Sequence, residues 1–410
     1  MKESDLLFDW SNYPQDEIVV KKHIDIDDET LRDGLQGAQA TRPSVEEQKV
    51  FLEFLDQLGV EHADIGIPNG DLRQKEEVIS LIKHKVLKGL NITLSCASRA
   101  LKVDVDNLAE ISSKTGDFPL EVDLFIGSST LRSIVHKWDL SELTKMVSES
   151  VLHAKKQNLP VMFVTEDSTR AHPENLLELY KVALDCGADR ICIADTVGIA
   201  SPKITKNIVG FIKSEVITKY PSVKLDWHGH NDLDLGVINC LVASENGVDR
   251  VHTAVWGIGE RAGNVNMFPV ILNLNLQGFR SEDLTRLKEF ANYSAKILNL
   301  STSVNEPAVG ETAHKTTSGV HADAILKAQE QGNYELASKV YFPYDPRMVG
   351  GEIEIGVGTM SGKSNVIAVL NKYLIEATSA RIEAVRLAAK AGNRVLSDQE
   401  VITIARQVAD

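Results

Sequence analysis

A pair of histidines separated by one residue is the strongest chemical signal in the sequence. His228 and His230 lie at the end of the segment 223–230, in which polar and apolar residues alternate. Because side chains alternate between the two faces of a strand, both imidazoles point to one side, and Leu225 and Trp227 point to the other. An isolated pair of this kind is more often part of a polar loop, but the other polar residues of the chain favour a metal site.

Two imidazole nitrogens and one carboxylate can hold a divalent metal and leave coordination positions open for a substrate. The carboxylate candidate is Asp33, which follows the first predicted strand, and Asn264 is a weaker candidate for a fourth ligand. Mixed oxygen and imidazole ligands suit Mg²⁺, Mn²⁺ or Zn²⁺ and do not distinguish among these ions.

Further polar residues stand where predicted strands end, which in a (β/α)8 barrel is the rim that carries the active site. Arg32 can stabilise negative charge on an enolate or a carbonyl oxygen, and its alternative role is an ion pair with Asp28 or Glu29. Glu166 can orient a water molecule or a base, and Thr196 can bind a carboxylate through its hydroxyl. Taken singly, each is more often a solvated loop residue.

Short runs rich in β-branched residues alternate with longer segments of helical period from about residue 23 onwards. This alternation is typical of parallel βα units, and eight units without a long interruption favour a closed (β/α)8 TIM barrel over an open sheet. The predicted strands cover residues 23–27, 61–67, 91–97, 120–126, 160–165, 190–194, 224–228 and 250–255.

The C-terminal part of the chain has a different pattern. Residues 281–300 predict an amphipathic helix that leads away from the barrel, and two or three further helices are predicted near the end. We therefore predict a catalytic barrel over 1–280, a linker with a first accessory subdomain over 281–350, and a second, helical accessory subdomain over 351–410. The fold class is α/β, with a mostly helical C-terminal extension.

The composition limits the partners of the protein. The chain has 410 residues and a formal net charge of -14, which disfavours binding to nucleic acid or to anionic membranes. Its 4 cysteines lack the spacing of a structural zinc site, which indicates reduced core thiols. No apolar run is long enough for a membrane span, and the first residues lack the layout of a signal peptide. We expect a cytoplasmic protein.

Two glycine-containing segments imitate nucleotide-binding motifs. Residues 257–262 have the dinucleotide-binding spacing, but no strand is predicted after the helix that follows them. Residues 362–364 imitate the end of a phosphate-binding loop, yet Val357 stands where that motif requires glycine. Neither segment is interpreted as a nucleotide site.

Five motifs together resemble one known family over nearly the whole chain. They are Thr-Leu-Arg-Asp-Gly at 30–34, Glu-Asp at 166–167, Asp-Thr-Val-Gly at 195–198, His-Gly-His-Asn-Asp at 228–232 and Gly-Ile-Gly-Glu-Arg-Ala-Gly-Asn at 257–264. The chain resembles the DRE-TIM metallolyase superfamily, and within it the Claisen-condensing synthases of 2-isopropylmalate, citramalate and homocitrate. Lyase members place a catalytic cysteine in the loop after the eighth strand, and this chain has none there.

The resemblance implies roles for individual residues. The implied metal ligands are Asp33, His228 and His230, with Asn264 close by. The 2-oxo acid substrate would chelate the ion through its carboxylate and its ketone. The implied substrate-binding residues are Arg32, Thr196, Asp64 and Asp123.

The implied reaction joins acetyl-CoA to a 2-oxo acid. A thioester methyl is a very weak acid, so its proton must be removed beside a ketone that the metal and Arg32 already polarise. Addition gives a malyl-CoA-type thioester, and water hydrolyses it with release of CoA. We expect 2-oxoisovalerate as the substrate, giving 2-isopropylmalate for leucine biosynthesis; the alternatives are pyruvate, as in citramalate synthases, and 2-oxoglutarate, as in homocitrate synthases.

Three positions depart from the pattern of these synthases and bear on the substrate. Leu35 stands where most have glutamate, Asp64 where a glutamate is usual, and Asp123 where 2-isopropylmalate synthases usually have histidine. Residues 260–264 favour the isopropylmalate and citramalate branches. Residues 121–139 instead resemble homocitrate synthases, whose substrate needs a cation for its second carboxylate.

The extension carries the remaining catalytic candidates. His321 matches a histidine of the synthases that reaches a barrel during catalysis together with a tyrosine matching Tyr341. His321 is the candidate base, working with Glu166. Because the extension crosses to the partner subunit in this family, we expect a homodimer whose extension contacts the partner barrel. The chain has no room for the leucine-binding domain of many relatives, so we expect activity without leucine feedback.

Two other functional classes share parts of this pattern. A 2-His-1-carboxylate oxygenase would consume oxygen and lose activity when magnesium replaces iron. A non-catalytic barrel would bind a metal and a 2-oxo acid but would release no CoA thiol from acetyl-CoA.

Overall fold

The computed structural model describes residues 22–408 of the chain. Residues 1–21 and 409–410, which belong to the first and the last predicted segments, lie outside the described residues. The prediction that no signal peptide is present rests on the first of these two stretches and therefore stays a prediction.

Eight parallel strands close into a barrel in sequence order, and the first strand pairs with the last. This closure confirms the predicted (β/α)8 fold. The strands are β1 (Asp25–Asp28), β2 (His62–Asp64), β3 (Thr93–Arg99), β4 (Glu121–Gly127), β5 (Val161–Glu166), β6 (Arg190–Asp195), β7 (Lys224–Gly229) and β8 (Arg250–Thr253).

Helices follow every strand and form the outer layer of the barrel; two of them, α4 and α5, separate β4 from β5. The outer helices are α1 (Val45–Gln57), α2 (Leu72–Lys88), α3 (Lys102–Lys114), α4 (Thr130–His136), α5 (Leu140–Lys156), α6 (Pro173–Asp185), α7 (Pro202–Ile212), α8 (Gly236–Glu245) and α9 (Met267–Leu276).

Helix α1 shows how local sequence positions an outer helix. The Ser44 hydroxyl accepts a hydrogen bond from the backbone N–H of Glu47, and the Glu47 carboxylate accepts one from the backbone N–H of Ser44 at 2.8 Å. This reciprocal cap satisfies donors that a helix start would otherwise leave unpaired. The apolar stripe that follows, including Phe51 and Leu55, is buried against the barrel.

Strand β7 places its polar side chains inside the barrel. Leu225 and Trp227 are buried in the apolar core between the sheet and the outer helices. Asp226 and His228, which alternate with them, point to the barrel axis, where His228 lines a cavity. The period of two along one strand therefore decides which residues reach the barrel interior.

A network of opposite charges fills the barrel below its carboxyl-end rim. Arg250 donates to Asp226 at 2.6 Å and to Glu121 at 3.0 Å, and Arg190 also donates to Asp226. We call these four residues the lower layer. Arg250 and Asp226 are at most 2% exposed, so each buried charge has an opposite charge in contact.

Helix α10 (Leu287–Ile297) packs back onto the barrel, so the prediction that this segment leads away from the barrel is wrong. The ring of Phe290 lies 5.1 Å from that of Phe51 and 5.4 Å from that of Phe54, between centroids. Its amphipathic stripe finds its partner in α1 rather than in the extension. The division of the chain at residues 280 and 350 stays a prediction.

The rest of the described chain forms the expected, mostly helical extension. A short parallel pair of strands, β9 (Lys315–Thr316) and β10 (Glu354–Ile355), accompanies five helices. Helices α13 to α15 enclose an apolar core of their own, which includes Val366 and Leu370. The five helices are α11 (Gly319–Glu330), α12 (Tyr334–Lys339), α13 (Lys363–Lys372), α14 (Ser379–Ala391) and α15 (Asp398–Gln407).

Across residues 22–408, no helix combines the length and the apolar character needed to cross a membrane.

Candidate metal centre and active site

Three of the predicted metal ligands meet at the carboxyl end of the barrel. The Oδ2 atom of Asp33 lies 3.4 Å from Nε2 of His228 and 3.5 Å from Nε2 of His230, and the two Nε2 atoms are 3.3 Å apart. Ligands that share one ion at about 2.1 Å each have this spacing. All three side chains are buried, and together they can hold a single divalent cation. We call them the metal triad.

Asn264 lies next to the metal triad, because its backbone forms an isolated antiparallel bridge with that of His230. Its amide nitrogen donates to the carbonyl oxygen of Ile258 at 3.0 Å. Within the described chain, its buried Oδ1 atom has no hydrogen-bond partner, nor has Nδ1 of His230. Buried polar atoms without a partner are rare in folded proteins, and an orphan oxygen beside the triad fits a further ligand position.

Arg32 is fixed beside the triad by three carboxylates. Its Nε donates to Asp64 at 2.7 Å, one Nη atom pairs with Glu29, and the other lies 3.3 Å from Oδ2 of Asp33. Arg32 therefore both forms an ion pair with Glu29 and lines the cavity beside the triad. Burial alone would lower the pKa of the Arg32 guanidinium, but the carboxylates raise it well above its ordinary value. Arg32 is a permanent positive charge at this site.

The protonation states of the triad suit metal binding. Burial alone would raise the pKa of Asp33, but the charge of Arg32 and the contact with His228 hold it well below its ordinary value. Burial and the charge of His228 lower the pKa of His230 to about 4. Burial also disfavours the charged form of His228, but its carboxylate neighbours raise its pKa. A metal ion bound at Nε2 of His228 would compete with a proton at that nitrogen.

Glu29 and His252 lie next to the triad, on the Nδ1 side of His228. The Oε1 atom of Glu29 lies 3.2 Å from Nδ1 of His228 and 2.8 Å from Nδ1 of His252. The other imidazole nitrogen of His252 lies 3.2 Å from Asp226 in the lower layer. Burial alone would lower the pKa of His252, but its carboxylate neighbours, with Asp27 contributing most, raise it to about 9. Sequence patterns indicated Glu29 only as a partner of Arg32 and gave no sign of His252, although Glu29 directly follows β1, two residues after Asp27, and His252 lies two residues after Arg250 on β8.

A cavity of about 270 Å³ opens beside the triad. Four of the other predicted site residues line this cavity, namely Arg32, Asp123, Glu166 and Thr196. Asp64 is not part of the wall, because it is buried behind Arg32. An apolar part of the wall is formed by Ile67, Ala97, Phe125, Met162, Val164 and Ala194.

Glu166 and Thr196 reach the cavity from neighbouring strand ends. Glu166 ends β5 and pairs with Arg132, which also lines the cavity. The Thr196 hydroxyl oxygen accepts a hydrogen bond from the backbone N–H of Asp167 at 2.8 Å. Its own proton therefore remains available for an acceptor in the cavity. Arg261 donates to the carbonyl oxygen of Thr196 at 2.6 Å and connects the loop after β8 to this wall.

His321 and Tyr341 lie together but away from this cavity. Their rings stack with centroids 3.7 Å apart, and the Thr316 hydroxyl lies 3.3 Å from Nδ1 of His321. Neither ring lines the cavity within one chain. A catalytic role that depends on a second subunit therefore stays a prediction.

The glycines of the loop after β8 allow close packing at the rim. Gly259 and Gly263 have φ values of 149° and 102°, and a Cβ atom on Gly263 would collide with the carbonyl oxygen of Gly257. Only glycine adopts such a conformation without strain at this distance. The loop brings Glu260 and Arg261 to the cavity wall. The glycines are thus explained by the shape of this loop, without a bound dinucleotide.

Comparison with known proteins identifies relatives along most of the chain. A family model described as HMGL-like matches residues 23–296. Homocitrate synthase AksA of Methanosarcina mazei is 31% identical over 94% of this chain and 91% of its own length. The 2-isopropylmalate synthase of Methanocaldococcus jannaschii is 29% identical, with coverages of 89% and 68%. The (R)-citramalate synthase of Aquifex aeolicus is 31% identical, with coverages of 85% and 65%.

Solved structures share the barrel. Hydroxymethylglutaryl-CoA lyase from Pseudomonas aeruginosa superposes with a TM-score of 0.56, at 17% identity, over 69% of this chain and 95% of its own. At this level of identity the similarity concerns the fold alone.

Proposed function

We propose, because this chain belongs to the HMGL-like family, that it catalyses a metal-dependent Claisen condensation of acetyl-CoA with a 2-oxo acid. The family match confirms the resemblance to the DRE-TIM metallolyases. The observation that carries the proposal is the convergence of one carboxylate and two imidazole nitrogens beside Arg32 on a cavity wall. The relatives named as homocitrate, 2-isopropylmalate and citramalate synthases support the condensing branch.

Different residues of the rim would carry out different parts of the reaction. A divalent ion held by the metal triad would act as a Lewis acid on the ketone of the 2-oxo acid. Arg32 would stabilise the negative charge that develops on oxygen, and its three carboxylate contacts keep it in place before the reaction begins. Thr196 would donate its free hydroxyl proton to the substrate carboxylate.

Deprotonation of the acetyl group requires a base near the cavity. We propose that Glu166, on the cavity wall, works with His321 of a second subunit, and that the adjacent Tyr341 positions the imidazole. The ion pair with Arg132 holds the Glu166 carboxylate in the cavity. Hydrolysis of the thioester then makes the overall reaction irreversible.

The cavity wall favours a 2-oxo acid with a short apolar side chain. Phe125, Met162 and Val164 present apolar surface to the cavity. Burial, together with Asp64 and other nearby carboxylates, raises the pKa of Asp123 well above its ordinary value, which favours the neutral form of this carboxyl on the wall. We therefore propose 2-oxoisovalerate as the first substrate, with 2-isopropylmalate as the product and a role in leucine biosynthesis, and pyruvate as the second candidate.

A 2-oxoglutarate-dependent homocitrate synthase is the alternative that specific observations favour. Three relatives that are 30%, 31% and 32% identical to this chain are named as homocitrate synthases. In addition, Arg132 supplies a cation on the cavity wall. Its pairing with Glu166 argues against a free cation for a second carboxylate.

One assay tests the reaction and its substrate together. CoA thiol release from acetyl-CoA is followed with pyruvate, 2-oxoisovalerate, 2-oxobutyrate, oxaloacetate and 2-oxoglutarate, with EDTA or with added Mg²⁺, Mn²⁺ or Zn²⁺. We expect the fastest release with 2-oxoisovalerate, its loss in EDTA and its recovery with metal. Thiol release that is fastest with 2-oxoglutarate would replace the substrate assignment. No release with any acid would refute the proposed reaction, and oxygen consumption would indicate the oxygenase class.

Subunit mixing tests the proposed cytoplasmic homodimer, in which the extension of one chain contacts the partner barrel. Asp33→Asn removes a barrel residue and His321→Gln removes an extension residue, so each variant alone is expected to be inactive. If the two residues act across subunits, refolding an equal mixture restores about a quarter of the sites by random pairing. A mixture as inactive as its components would contradict the trans arrangement, and so would full activity of a monomer.

A further inference from the structure

His228 has a defined contact at each of its ring nitrogens. Its Nε2 atom faces Asp33 and His230 within the metal triad, and its Nδ1 atom lies 3.2 Å from Oε1 of Glu29. Glu29 is 2% exposed, so little water can compete for this contact. The second oxygen of the same carboxylate pairs with Arg32.

The contact at Nδ1 decides what Nε2 can do. A neutral imidazole that offers a lone pair at Nε2 must carry its proton at Nδ1, and a carboxylate at Nδ1 selects that tautomer and fixes the ring plane. Glu29, His228 and His252 also lie close enough to hold a cation of their own. Their separations of 2.8 Å and 3.2 Å are hydrogen-bond distances, and Nδ1 of His228 cannot both donate a proton to Glu29 and bind a second ion.

His252 connects Glu29 to the lower layer of the barrel. Its Nδ1 atom lies 2.8 Å from Glu29, and its Nε2 atom lies 3.2 Å from Asp226, so both nitrogens donate to carboxylates. Asp226 is itself held by Arg250 at 2.6 Å and by Arg190. A continuous chain of contacts therefore runs from the lower layer to His228.

We propose that Glu29 is a positioning residue that fixes the tautomer and the ring plane of His228 and couples this metal ligand to Arg32, and that His252 holds Glu29 in place for this task. The inference rests on the proposed function, because it concerns the ion that the triad would hold. It extends that function by assigning a role to two cavity-lining residues that act through His228 rather than as ligands of the triad's ion.

The substitution Glu29→Gln tests the role without changing the size of the side chain. His228, His252 and Arg32 all donate to Glu29, and an amide has only one end that accepts, so it cannot satisfy all three. The readout is Mn²⁺ affinity, measured from the electron paramagnetic resonance of free Mn²⁺ in the absence of substrate. We expect Glu29→Gln to weaken Mn²⁺ binding about 10- to 100-fold. His252→Gln should have a smaller effect in the same direction.

The double variant and a matched control separate positioning from general damage. Because His252 acts through Glu29, the double variant should bind Mn²⁺ no more weakly than Glu29→Gln alone. The control is His62→Gln, which replaces another buried barrel histidine, 3.3 Å from Glu121, that contacts no member of the triad. Its Mn²⁺ affinity should equal that of the unsubstituted protein.

The outcomes distinguish this inference from the proposed function. If the unsubstituted protein binds no Mn²⁺, the proposed metal-dependent function fails. If it binds Mn²⁺ but Glu29→Gln binds equally well, or the two single effects add in the double variant, the positioning role fails and the function stands. If circular dichroism shows that Glu29→Gln does not fold, His252→Gln carries the test, and unchanged Mn²⁺ affinity in that variant overturns the inference.

Discussion

The rim and the lower layer of the barrel are both charged and buried, but they differ in how their charges are balanced. In the lower layer, Arg250 contacts Asp226 and Glu121, so that positive and negative groups neutralise one another. In the metal triad, one carboxylate and two imidazoles crowd together, and Nδ1 of His230 has no partner in the described chain. The lower layer is complete as it stands, whereas the triad has the donor set of a cation site. An unsatisfied polar atom therefore marks this site only together with the convergence of one carboxylate and two imidazole nitrogens.

Asp27 also lies in the barrel interior, and its carboxylate oxygens accept no hydrogen bond within the described chain. One of them nevertheless lies 3.5 Å from a guanidinium nitrogen of Arg250 and 3.7 Å from a ring nitrogen of His252. Its charge is thus compensated from within the protein. The guanidinium in contact with Asp33 of the triad is that of Arg32, and it is shared among three carboxylates.

The largest effect is expected from Asp33→Asn, which removes the only carboxylate of the triad. We expect thiol release to fall at least about 10³-fold, because the Lewis acid is lost together with its ligand. Mn²⁺ binding should fall in parallel, while the thermal unfolding midpoint in EDTA changes little. The control is Asp234→Asn, an exposed position in the loop after β7. Retention of more than a tenth of the activity in Asp33→Asn would contradict the assignment of the triad.

Arg250→Met should show the opposite profile. Removing the arginine leaves Asp226 and Glu121 with less compensation in a buried setting, which typically costs about 3–5 kcal/mol of unfolding free energy. Urea denaturation measures this loss, and Mn²⁺ affinity of the folded variant should fall far less than in Asp33→Asn. The matched control is Arg261→Met, whose partly exposed pair with Asp232 is expected to contribute less than about 1 kcal/mol. Equal stability of the two variants would remove the distinction between the layers.

Arg32→Gln separates charge stabilisation from metal binding within the rim. We expect kcat to fall about 10²- to 10³-fold, because a fixed positive charge beside the reacting oxygen is lost. Mn²⁺ affinity should change much less than kcat, since the metal triad itself remains. Arg42→Gln, which breaks an ion pair with Glu77 away from the cavity, is the control. A loss of Mn²⁺ affinity as large as the loss of kcat would show that Arg32 acts mainly through Asp33.

The smallest effect concerns His314, a buried histidine for which the described part of the chain provides no carboxylate partner. Burial, with a smaller contribution from Lys288, lowers the pKa of His314 to about 4, and its Nε2 atom contacts the Tyr344 hydroxyl at 2.9 Å. The unfolded chain, with an imidazole pKa of about 6.5, binds more protons between these two values. Stability contributed by the neutral imidazole is therefore present above pH about 6.5 and is lost as the pH falls towards about 4.

His314→Gln should remove this pH dependence. Between pH 7 and pH 5 the unsubstituted protein should lose roughly 1–2 kcal/mol more unfolding free energy than the variant, as measured by urea denaturation at each pH. His252 shows the opposite shift, because the carboxylates around it raise its pKa to about 9. Parallel pH profiles for the two proteins would show that burial at position 314 does not hold the imidazole neutral.

Local sequence patterns predicted the elements of the barrel and one strand of the site. The alternation of Asp226, Trp227 and His228 on β7 specifies which side chains face the axis, because successive residues of a strand point in opposite directions. The cap at Ser44 and Glu47 likewise predicted the start of α1. Such features depend on residues only a few positions apart, so the sequence alone contains them.

The packing of α10 and the composition of the apolar cavity wall could not be predicted from the same local patterns. An amphipathic stripe shows that α10 must bury one face, but it does not show that Phe290 meets Phe51, which lies on α1. The cavity wall combines Phe125 from β4 with Met162 and Val164 from β5, and their relative height depends on the register between the strands.

Residue types and spacing alone therefore determined the barrel, its polar rim and the nature of a metal-binding donor set. Only the tertiary structure decided that Glu29 and His252, more than two hundred positions apart, share one hydrogen bond behind His228. That contact exists because closure of the barrel pairs β1 with β8, with Asp27 opposite His252. A strand pattern specifies the face on which a side chain lies, whereas the strands beside it, and hence its partners, are set by how the whole sheet closes.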